Sequence, residues 1–297
     1  MNELPLIGNC LRLSDTVICP LLSGPKSMLF WITKEIGNAI EEAQAGGAIG
    51  GAVARAFASE GAKVFLAGRS QAKLDSVAGE ISAAGGAAET AIVDALDAKS
   101  VDEHADAVVR TAGSIDISFN AIGVKHVQGV PLAELDIADY LLPITTYATT
   151  HFLTATAAAR HMTKAGTGVI LTISTPTALL PKSVAGGFGV ACAAVEGLSR
   201  QLAGELGEHG IRVICLRPDG IPEAVERGSH SGDVFAARAE RAGISLEEFL
   251  ASLAEGNLLH RSPTLTEVAN VATLVVSDRA SAMTGTVADA NCGALVD

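Results

Sequence analysis

The sequence has few aromatic residues, an excess of negative over positive charge and no long apolar run. Phe, Trp and Tyr make up 4% of its 297 residues, and 21 Lys and Arg stand against 33 Asp and Glu, so the formal net charge is −12. An acidic chain without a basic run offers no electrostatic footprint for a phosphate backbone, so we expect no nucleic-acid partner. No stretch approaches the roughly 18 uncharged apolar residues of a membrane span, so we expect no membrane insertion.

Cysteine is also scarce, and the cysteines do not form a metal-binding or disulfide motif. Five cysteines, an odd count without any Cys-x-x-Cys pair, stand at positions 10, 19, 192, 215 and 292. This pattern argues against a disulfide framework and against a zinc site. At the start of the chain Glu3 precedes any positive charge, and Gly8, Asn9 and Arg12 interrupt the apolar stretch, which is unlike a secretory signal. These features predict a cytoplasmic protein.

From residue 47 onward, short β-branched runs alternate with longer stretches whose apolar residues recur at helical spacing. Strands are predicted over 63–67, 90–93, 115–120, 169–174, 211–216 and 286–288. Helices are predicted over 50–59, 71–84, 101–111, 132–162, 189–208 and 265–277. This order is typical of repeated βαβ units, so the sequence predicts an α/β fold with one Rossmann-like, doubly wound parallel sheet in a single domain.

Three local features refine this prediction. Ser70 precedes a helix as a natural N-cap, with Leu74, Val77 and Ile81 on its buried face. Pro143 predicts either a kink in the fourth helix or a new helix that starts with the proline. The more charged stretch 224–263 is predicted to be an insertion over the site, formed by a loop and one helix over 246–253.

Glycines cluster at positions 46, 47, 50 and 51, immediately before a predicted helix. Their backbone could approach a pyrophosphate at the positive end of that helix. An ordinary glycine-rich turn explains the cluster equally well when it is taken alone.

Four later segments are considered together with the glycine cluster: FNAIGV at 119–124, GVILTIST at 168–175, GVACAAVEGLSRQLAGELGEHGIRVICLRPDG at 189–220 and SPTLTEVANVATLVVSDRASAMTGTV at 262–287. Together these segments resemble the short-chain dehydrogenase/reductase family, in unbroken order over about 250 residues. Residues 1–45 lie outside the resemblance and are interpreted as an atypical N-terminal segment, followed by a dinucleotide-binding domain over 46–297. Since residues 36–44 are polar, MLFWIT at 28–33 is predicted to replace the family's first strand.

The resemblance implies NADP(H) as cofactor, with NAD(H) as the lesser alternative. Family members that use NAD carry an acidic residue at the position of Gly68, which is followed here by Arg69. A guanidinium suits a 2′-phosphate because it donates two parallel hydrogen bonds with full charge, although an exposed Arg at a strand end is the plain alternative. The other positions that the resemblance assigns to the cofactor are Gly46, Gly47, Ile49, Gly50, Asp94, Asn120, Gly123 and Pro218.

The family's catalytic tetrad of Asn, Ser, Tyr and Lys is replaced throughout. The Tyr falls on Phe188, the Lys on Cys192, the Ser on Thr175 and the Asn on or near Tyr147. Neither of the two tyrosines begins a Tyr-x-x-x-Lys motif. We therefore predict that Thr175 and Ser174 position the substrate oxygen, while the proton comes from water or from a donor that the family does not use.

Four residues are candidates for that donor: Tyr147 and His151 on one helix face, and Lys125 and His126 after a strand. Each has a structural alternative, which is helix packing for Tyr147, a capped or interface position for His151, and a solvated loop for Lys125 and His126. Cys192, in apolar surroundings, is predicted to be buried and inert.

Two functions follow from these residues. The first is an NADP(H)-dependent oxidoreductase that acts on a carbonyl or alcohol, or on an activated alkene, because hydride transfer itself needs only alignment of the nicotinamide with its acceptor. The second is a non-catalytic dinucleotide-binding or structural protein on the same fold. The resemblance also implies a small-molecule substrate and a homodimer or homotetramer that assembles through the fourth and fifth helices.

Overall fold

The computed structural model describes residues 11–13, 16–18, 26–31, 47–180 and 184–296. The strands are β1 (Leu11–Leu13), β2 (Thr16–Ile18), β3 (Ser27–Trp31), β4 (Lys63–Gly68), β5 (Ala87–Ile92), β6 (Ile117–Asn120), β7 (Gly168–Ile173), β8 (Ile211–Pro218) and β9 (Thr286–Ala290). The helices are α1 (Ala48–Ser59), α2 (Gln71–Ala83), α3 (Ala98–Ala112), α4 (Ile137–Ala165), α5 (Gly187–Leu206), α6 (Pro222–Glu226), α7 (His230–Ala242), α8 (Leu246–Gly256) and α9 (Leu265–Val276).

Seven strands form one parallel sheet in the order β5-β4-β3-β6-β7-β8-β9, and β1 pairs with β2 as a separate antiparallel ribbon. The chain builds outward from β3 to β5 and then crosses back to β6 on the other side of β3. This reversal is the topological switch of a doubly wound sheet, where ligands bind beyond the carboxyl ends of the strands. The predicted fold class is confirmed.

The strand predicted from MLFWIT lies at the centre of this sheet. β3 pairs in parallel with both β4 and β6, so that Met28 is opposite Val64 on one side and Ile117 on the other. The Met28 side chain is fully buried. The placement is confirmed for residues 28–31, whereas residues 32 and 33 of the motif and the segment up to residue 46 lie outside the described residues.

Helices cover both faces of the sheet. α1, α2 and α9 pack on one face around Phe57, and α3, α4 and α5 pack on the other around Met162. Within the described ranges, no helix has both the length and the apolar character that crossing a bilayer requires.

Two of the local expectations need correction. α4 begins six residues before Pro143, so the proline does not start a new helix. The stretch 224–263 holds most of three helices, because α6 and α7 precede the predicted helix α8. The periodic signal of α7 is weak, since only Val234 and Ala239 of this helix are buried. On α2 the buried residues are Leu74, Val77 and Ile81 as predicted, although the N-cap residue Ser70 makes no side-chain capping bond.

Candidate functional site

One cleft lies at the carboxyl ends of the central strands, at the topological switch. Its walls are the amino end of α1, the loops after β6, β7 and β8, the start of α5, and the lid formed by α6, α7 and α8. The stretch 224–263 therefore covers the site, as predicted, and most of its lid is helical.

The amino end of α1 forms one end of the cleft. The N-cap residue is Gly47, which has no side chain that could cap the helix, and the first turn carries no acidic residue. Gly47, Ile49 and Gly50 line the cleft, while the predicted Gly46 lies outside the described residues. A helix start leaves its first N–H groups without intrahelical acceptors, so this end of the cleft fits the pyrophosphate of a dinucleotide.

Asn120 and Gly123 shape the loop after β6. The Asn120 side chain is buried; its Nδ2 donates to Thr154 Oγ1 at 3.0 Å, and its Oδ1 accepts from the Ile122 amide at 3.0 Å. At Gly123 a Cβ would stand 2.1 Å from Cε1 of His230, so the His230 ring rests directly on the glycine. Only a residue without a side chain allows the lid to approach this loop so closely.

The other predicted cofactor residues lie along the same edge of the sheet. Pro218 ends β8 and lines the cleft. Arg69 follows β4 and is partly buried, and Asp94 follows β5 with its Oδ1 accepting from the Leu96 amide at 3.0 Å. Neither Arg69 nor Asp94 lines the cleft, but both stand at the carboxyl ends of the strands beyond α1, where the far end of a bound dinucleotide would extend.

Ser174 and Thr175 both line the cleft, but their hydroxyl groups have different partners. Ser174 Oγ donates to the buried Glu196 Oε1 at 2.8 Å, and Glu196 also pairs with Arg217 at 3.3 Å. Thr175 Oγ1 lies 2.6 Å from Thr177 Oγ1, and both threonines are partly exposed. A hydroxyl has one proton to donate, so Ser174 has none left for a substrate oxygen. Thr175 can accept from Thr177 and keep its own proton for the cleft, because either hydroxyl of this pair can be the donor.

Cys192 stands beside Thr175. Its Sγ lies 3.5 Å from Thr175 Oγ1, and burial raises the pKa of the thiol to about 11. The expectation that Cys192 is buried is confirmed, and its thiol is neutral at physiological pH.

His126 belongs to a hydrogen-bonded chain that reaches the lid. Arg238 Nη1 donates to Gln128 Oε1 at 3.0 Å, Gln128 Nε2 donates to His126 Nε2 at 2.9 Å, and His126 Nδ1 donates to the Val124 carbonyl at 2.8 Å. Because Arg238 has only donors, it sets the orientation of the Gln128 amide and thereby the tautomer of His126. Burial lowers the pKa of His126 to about 4, so the ring is neutral and both of its nitrogens are occupied.

The remaining donor candidates are less suitable still. Tyr147 lines the cleft, but burial raises the pKa of its phenol well above the usual value. His151 is fully buried and its Nδ1 donates to the Tyr147 carbonyl at 2.9 Å, while no acceptor or donor in the described part of the chain reaches its Nε2. Lys125 is exposed and pairs with Asp233 at 3.1 Å, so the solvated alternative holds for Lys125 and is wrong for the buried His126.

Sequence reasoning missed the residues that the lid contributes, above all His230 and Arg238 of α7, and it missed Gln128 and Glu196. Burial lowers the pKa of His230 to about 4 as well. A capping signal was present, because the Ser229 side chain caps α7. No local sequence pattern predicts that Arg238 donates to Gln128, which lies 110 positions away in the chain.

Comparisons with known proteins agree with this fold. The model of a family described as enoyl-(acyl carrier protein) reductase matches residues 44–294. Secoisolariciresinol dehydrogenase of Forsythia intermedia is 34% identical over 244 residues, which are 80% of this chain and 81% of that protein. Gluconate 5-dehydrogenase of Gluconobacter oxydans (strain 621H) is 32% identical over 170 residues, 57% of this chain and 66% of that protein, just under two thirds of its length. The crystal structure of an NAD⁺-bound xylitol dehydrogenase superposes with a TM-score of 0.77 at 21% identity, over 89% of this chain and 96% of that one.

Proposed function

Because this chain belongs to the short-chain dehydrogenase/reductase family, whose members bind NAD(P) nucleotides, we propose that it is an NADP(H)-dependent oxidoreductase that interconverts a carbonyl and an alcohol. One observation supports this most: a single cleft runs from the uncapped amino end of α1 at Gly47 to the Thr175 hydroxyl. A dinucleotide at one end and a small-molecule substrate at the other would meet along this cleft.

The cofactor would be held by backbone at its phosphates and by Arg69 at its 2′-phosphate. Gly47, Ile49 and Gly50 present the helix start to the pyrophosphate, and Gly68 leaves the adjoining strand end without the acid that would repel a phosphate. Asp94 and Asn120 would complete this wall, Asn120 by fixing the loop that carries Gly123. When bound, the nicotinamide supplies or accepts the hydride.

In the substrate half, Thr175 would position the reacting oxygen by a hydrogen bond. Thr177, 2.6 Å from it and partly exposed, links this hydroxyl to solvent, so we assign the proton to water relayed through the two threonines. Three described groups near Thr175 are unsuited to this task at neutral pH: the His126 nitrogens are occupied, and burial raises the pKa of both the Cys192 thiol and the Tyr147 phenol. Slow turnover follows, because a well-matched general acid contributes about 10²- to 10⁴-fold.

The second candidate is a non-catalytic dinucleotide-binding protein. Phe188 and Cys192, which lack the acid and the permanent charge of the residues they replace, both line the cleft and favour it. Binding of NADPH without turnover of any carbonyl compound in a broad panel would support this candidate over the first.

Titration of the purified chain with NADPH and NADH, by calorimetry, tests the cofactor assignment. We expect NADPH to bind more tightly by about 1 to 3 kcal/mol, and Arg69→Ala to remove this difference. Arg110→Ala, which removes an exposed charge from α3, serves as the control and should leave the preference intact. Equal affinities for the two nucleotides, or an unchanged preference in Arg69→Ala, would refute it.

We further propose that two copies assemble through α4 and α5. These helices expose the apolar residues Leu141, Phe152 and Val190, of which Phe152 is 52% exposed. Light scattering should show a dimer or tetramer, and Phe152→Glu should shift it toward the monomer; a monomeric wild type would refute this assembly.

A further inference from the structure

Arg238 brings a cation into the lid side of the cleft. It lies on α7, lines the cleft and is partly buried. Its Nη1 donates to Gln128 Oε1 at 3.0 Å, and the guanidinium lies over the ring of Phe249, with Cζ 5.0 Å from the ring centroid. The glutamine and the aromatic ring hold the guanidinium in place on two sides.

This cation has no anionic partner among the described residues. Two carboxylates of this region are engaged elsewhere: Asp233 of the same helix pairs with Lys125 at 3.1 Å, and Asp219, which also lines the cleft, accepts from Asn257 Nδ2 at 3.3 Å. No hydrogen bond or ion pair joins Arg238 to any carboxylate of the described chain. Desolvation lowers the pKa of the guanidinium, which stays protonated all the same.

Beside the Gln128 contact, an apolar surface adjoins Arg238. Phe235, Phe249 and Leu253 line the same end of the cleft, and the rings of Phe235 and Phe249 are in contact with centroids 5.4 Å apart. Leaving a cation half-buried beside such a surface costs free energy unless a ligand supplies the missing charge.

We propose that the substrate of this cleft carries a carboxylate that binds Arg238, attached to an apolar body that packs on Phe235 and Phe249. The inference rests on the proposed function, because the ligand is the substrate of the same site. A carboxylate fits better than a phosphate because Arg238 is the single Lys or Arg among the described residues of the lining, and its histidines are neutral. A planar carboxylate also matches the two parallel donors of a guanidinium.

The test uses 3-phenylpropanoate, 4-phenylbutanoate and 5-phenylpentanoate, each beside its methyl ester, as probes in calorimetry with and without saturating NADP⁺. We expect at least one acid to bind about 10-fold or more tightly than its ester. Arg238→Gln should abolish this preference and Arg238→Lys should keep part of it. Arg227→Gln removes an equal charge from the exposed carboxyl end of α6, outside the lining, and should retain the full preference.

Three results would overturn the proposal: equal binding of acids and esters, no binding of any acid at millimolar concentration, or an undiminished preference in a folded Arg238→Gln. A loss of NADPH affinity in Arg238→Gln as large as the loss for the acid would also overturn it, because the guanidinium would then contact the cofactor. Should Arg238→Gln fail to fold by circular dichroism, Arg238→Lys carries the comparison. The titration without NADP⁺ separates this inference from the proposed function, since it tests the acid even when the nucleotide does not bind.

Discussion

The imidazole of His126 is stacked on the ring of Phe188, with centroids 4.2 Å apart and ring planes at 21°. The sequence resemblance assigns Phe188 to the position of the family's proton-donating tyrosine, and His126 is held beside it as a neutral ring with both nitrogens engaged. The Tyr147 ring meets the edge of Phe188 at 5.5 Å between centroids. The centre of the cleft is therefore an aromatic cluster rather than an acid–base pair.

Efficient reduction of ketones should require two changes together, Phe188→Tyr and Cys192→Lys, which introduce the residues that the resemblance assigns to these positions. Phe188→Tyr alone adds a phenol that ionises far above neutral pH, and it should barely raise the reduction of ketones by NADPH. Phe188→Tyr combined with Cys192→Lys should exceed the single variant by about 10-fold or more in kcat/KM, because the ammonium lowers the pKa of the phenol. Cys192→Lys alone is the control. A single Phe188→Tyr variant as active as the double variant would show that the lysine is not needed.

Removing the hydroxyl of Ser174 and that of Thr175 one at a time should have different effects on stability and turnover. Thr175→Val should lower kcat/KM by about 10-fold or more with little change in stability, and Thr175→Ser should recover most of it. Ser174→Ala should cost about 1 to 2 kcal/mol of unfolding free energy, because the buried Glu196 loses a donor, while kcat/KM changes little. Denaturant titration and steady-state kinetics measure both. A larger kinetic loss in Ser174→Ala than in Thr175→Val would reverse the assignment.

Turnover should be almost independent of pH from about pH 6 to 8.5. The pKa values of His126 and His230 are lowered to about 4 and that of Cys192 is raised to about 11, so none of these groups changes charge in this interval. Burial raises the pKa of Asp219, which also lines the cleft, above its usual value. A bell-shaped kcat/KM profile with a limb near neutral pH would reveal a catalytic acid that this assignment omits.

Stability should fall as the solution is acidified, and His151 should contribute to that fall. Burial lowers the pKa of His151 to about 4, below the value of an unfolded histidine, so the unfolded chain binds more protons between these values. Its contribution is complete above about pH 6.5 and decreases as the pH falls toward 4, by about 1 to 2 kcal/mol between pH 7 and 5. His151→Asn preserves a donor to the Tyr147 carbonyl and cannot titrate, so its unfolding free energy should depend less steeply on pH. An unchanged slope would contradict this account.

The fold should depend on β3. Deleting residues 2–34 removes the strand between β4 and β6, leaving both with unpaired backbone groups in the core, so we expect loss of cooperative unfolding. Deleting residues 2–24 removes 23 of the same 33 residues but leaves Ser27–Trp31, and should keep the sheet. Circular dichroism and hydrogen exchange measure the outcome, with slow exchange expected for amides 28–31 in the full chain. A folded 2–34 deletion would show that the sheet tolerates the missing strand.

The local sequence pattern determined most of the strands and helices of this protein. The alternation of β-branched runs and helical periodicities predicts the six strands β4 to β9 and most of the helices, because each signal lies within a short window of the chain. The resemblance likewise assigns the tetrad positions residue by residue, and it places two of them at Phe188 and Cys192 of α5. MLFWIT could be placed in the sheet because an apolar run is what an inner parallel strand needs.

Only the tertiary structure decided which side chains meet in the cleft. Ser174 and Thr175 are adjacent and chemically similar, yet a partner 22 residues away takes the proton of Ser174 and leaves Thr175 for a ligand. The hydrogen-bonded chain from Arg238 through Gln128 to His126 joins the lid to the loop after β6, and its ends are far apart in sequence. Periodicity reports which face of an element is apolar, whereas hydrogen-bond partners and missing counter-ions depend on how distant elements are packed together.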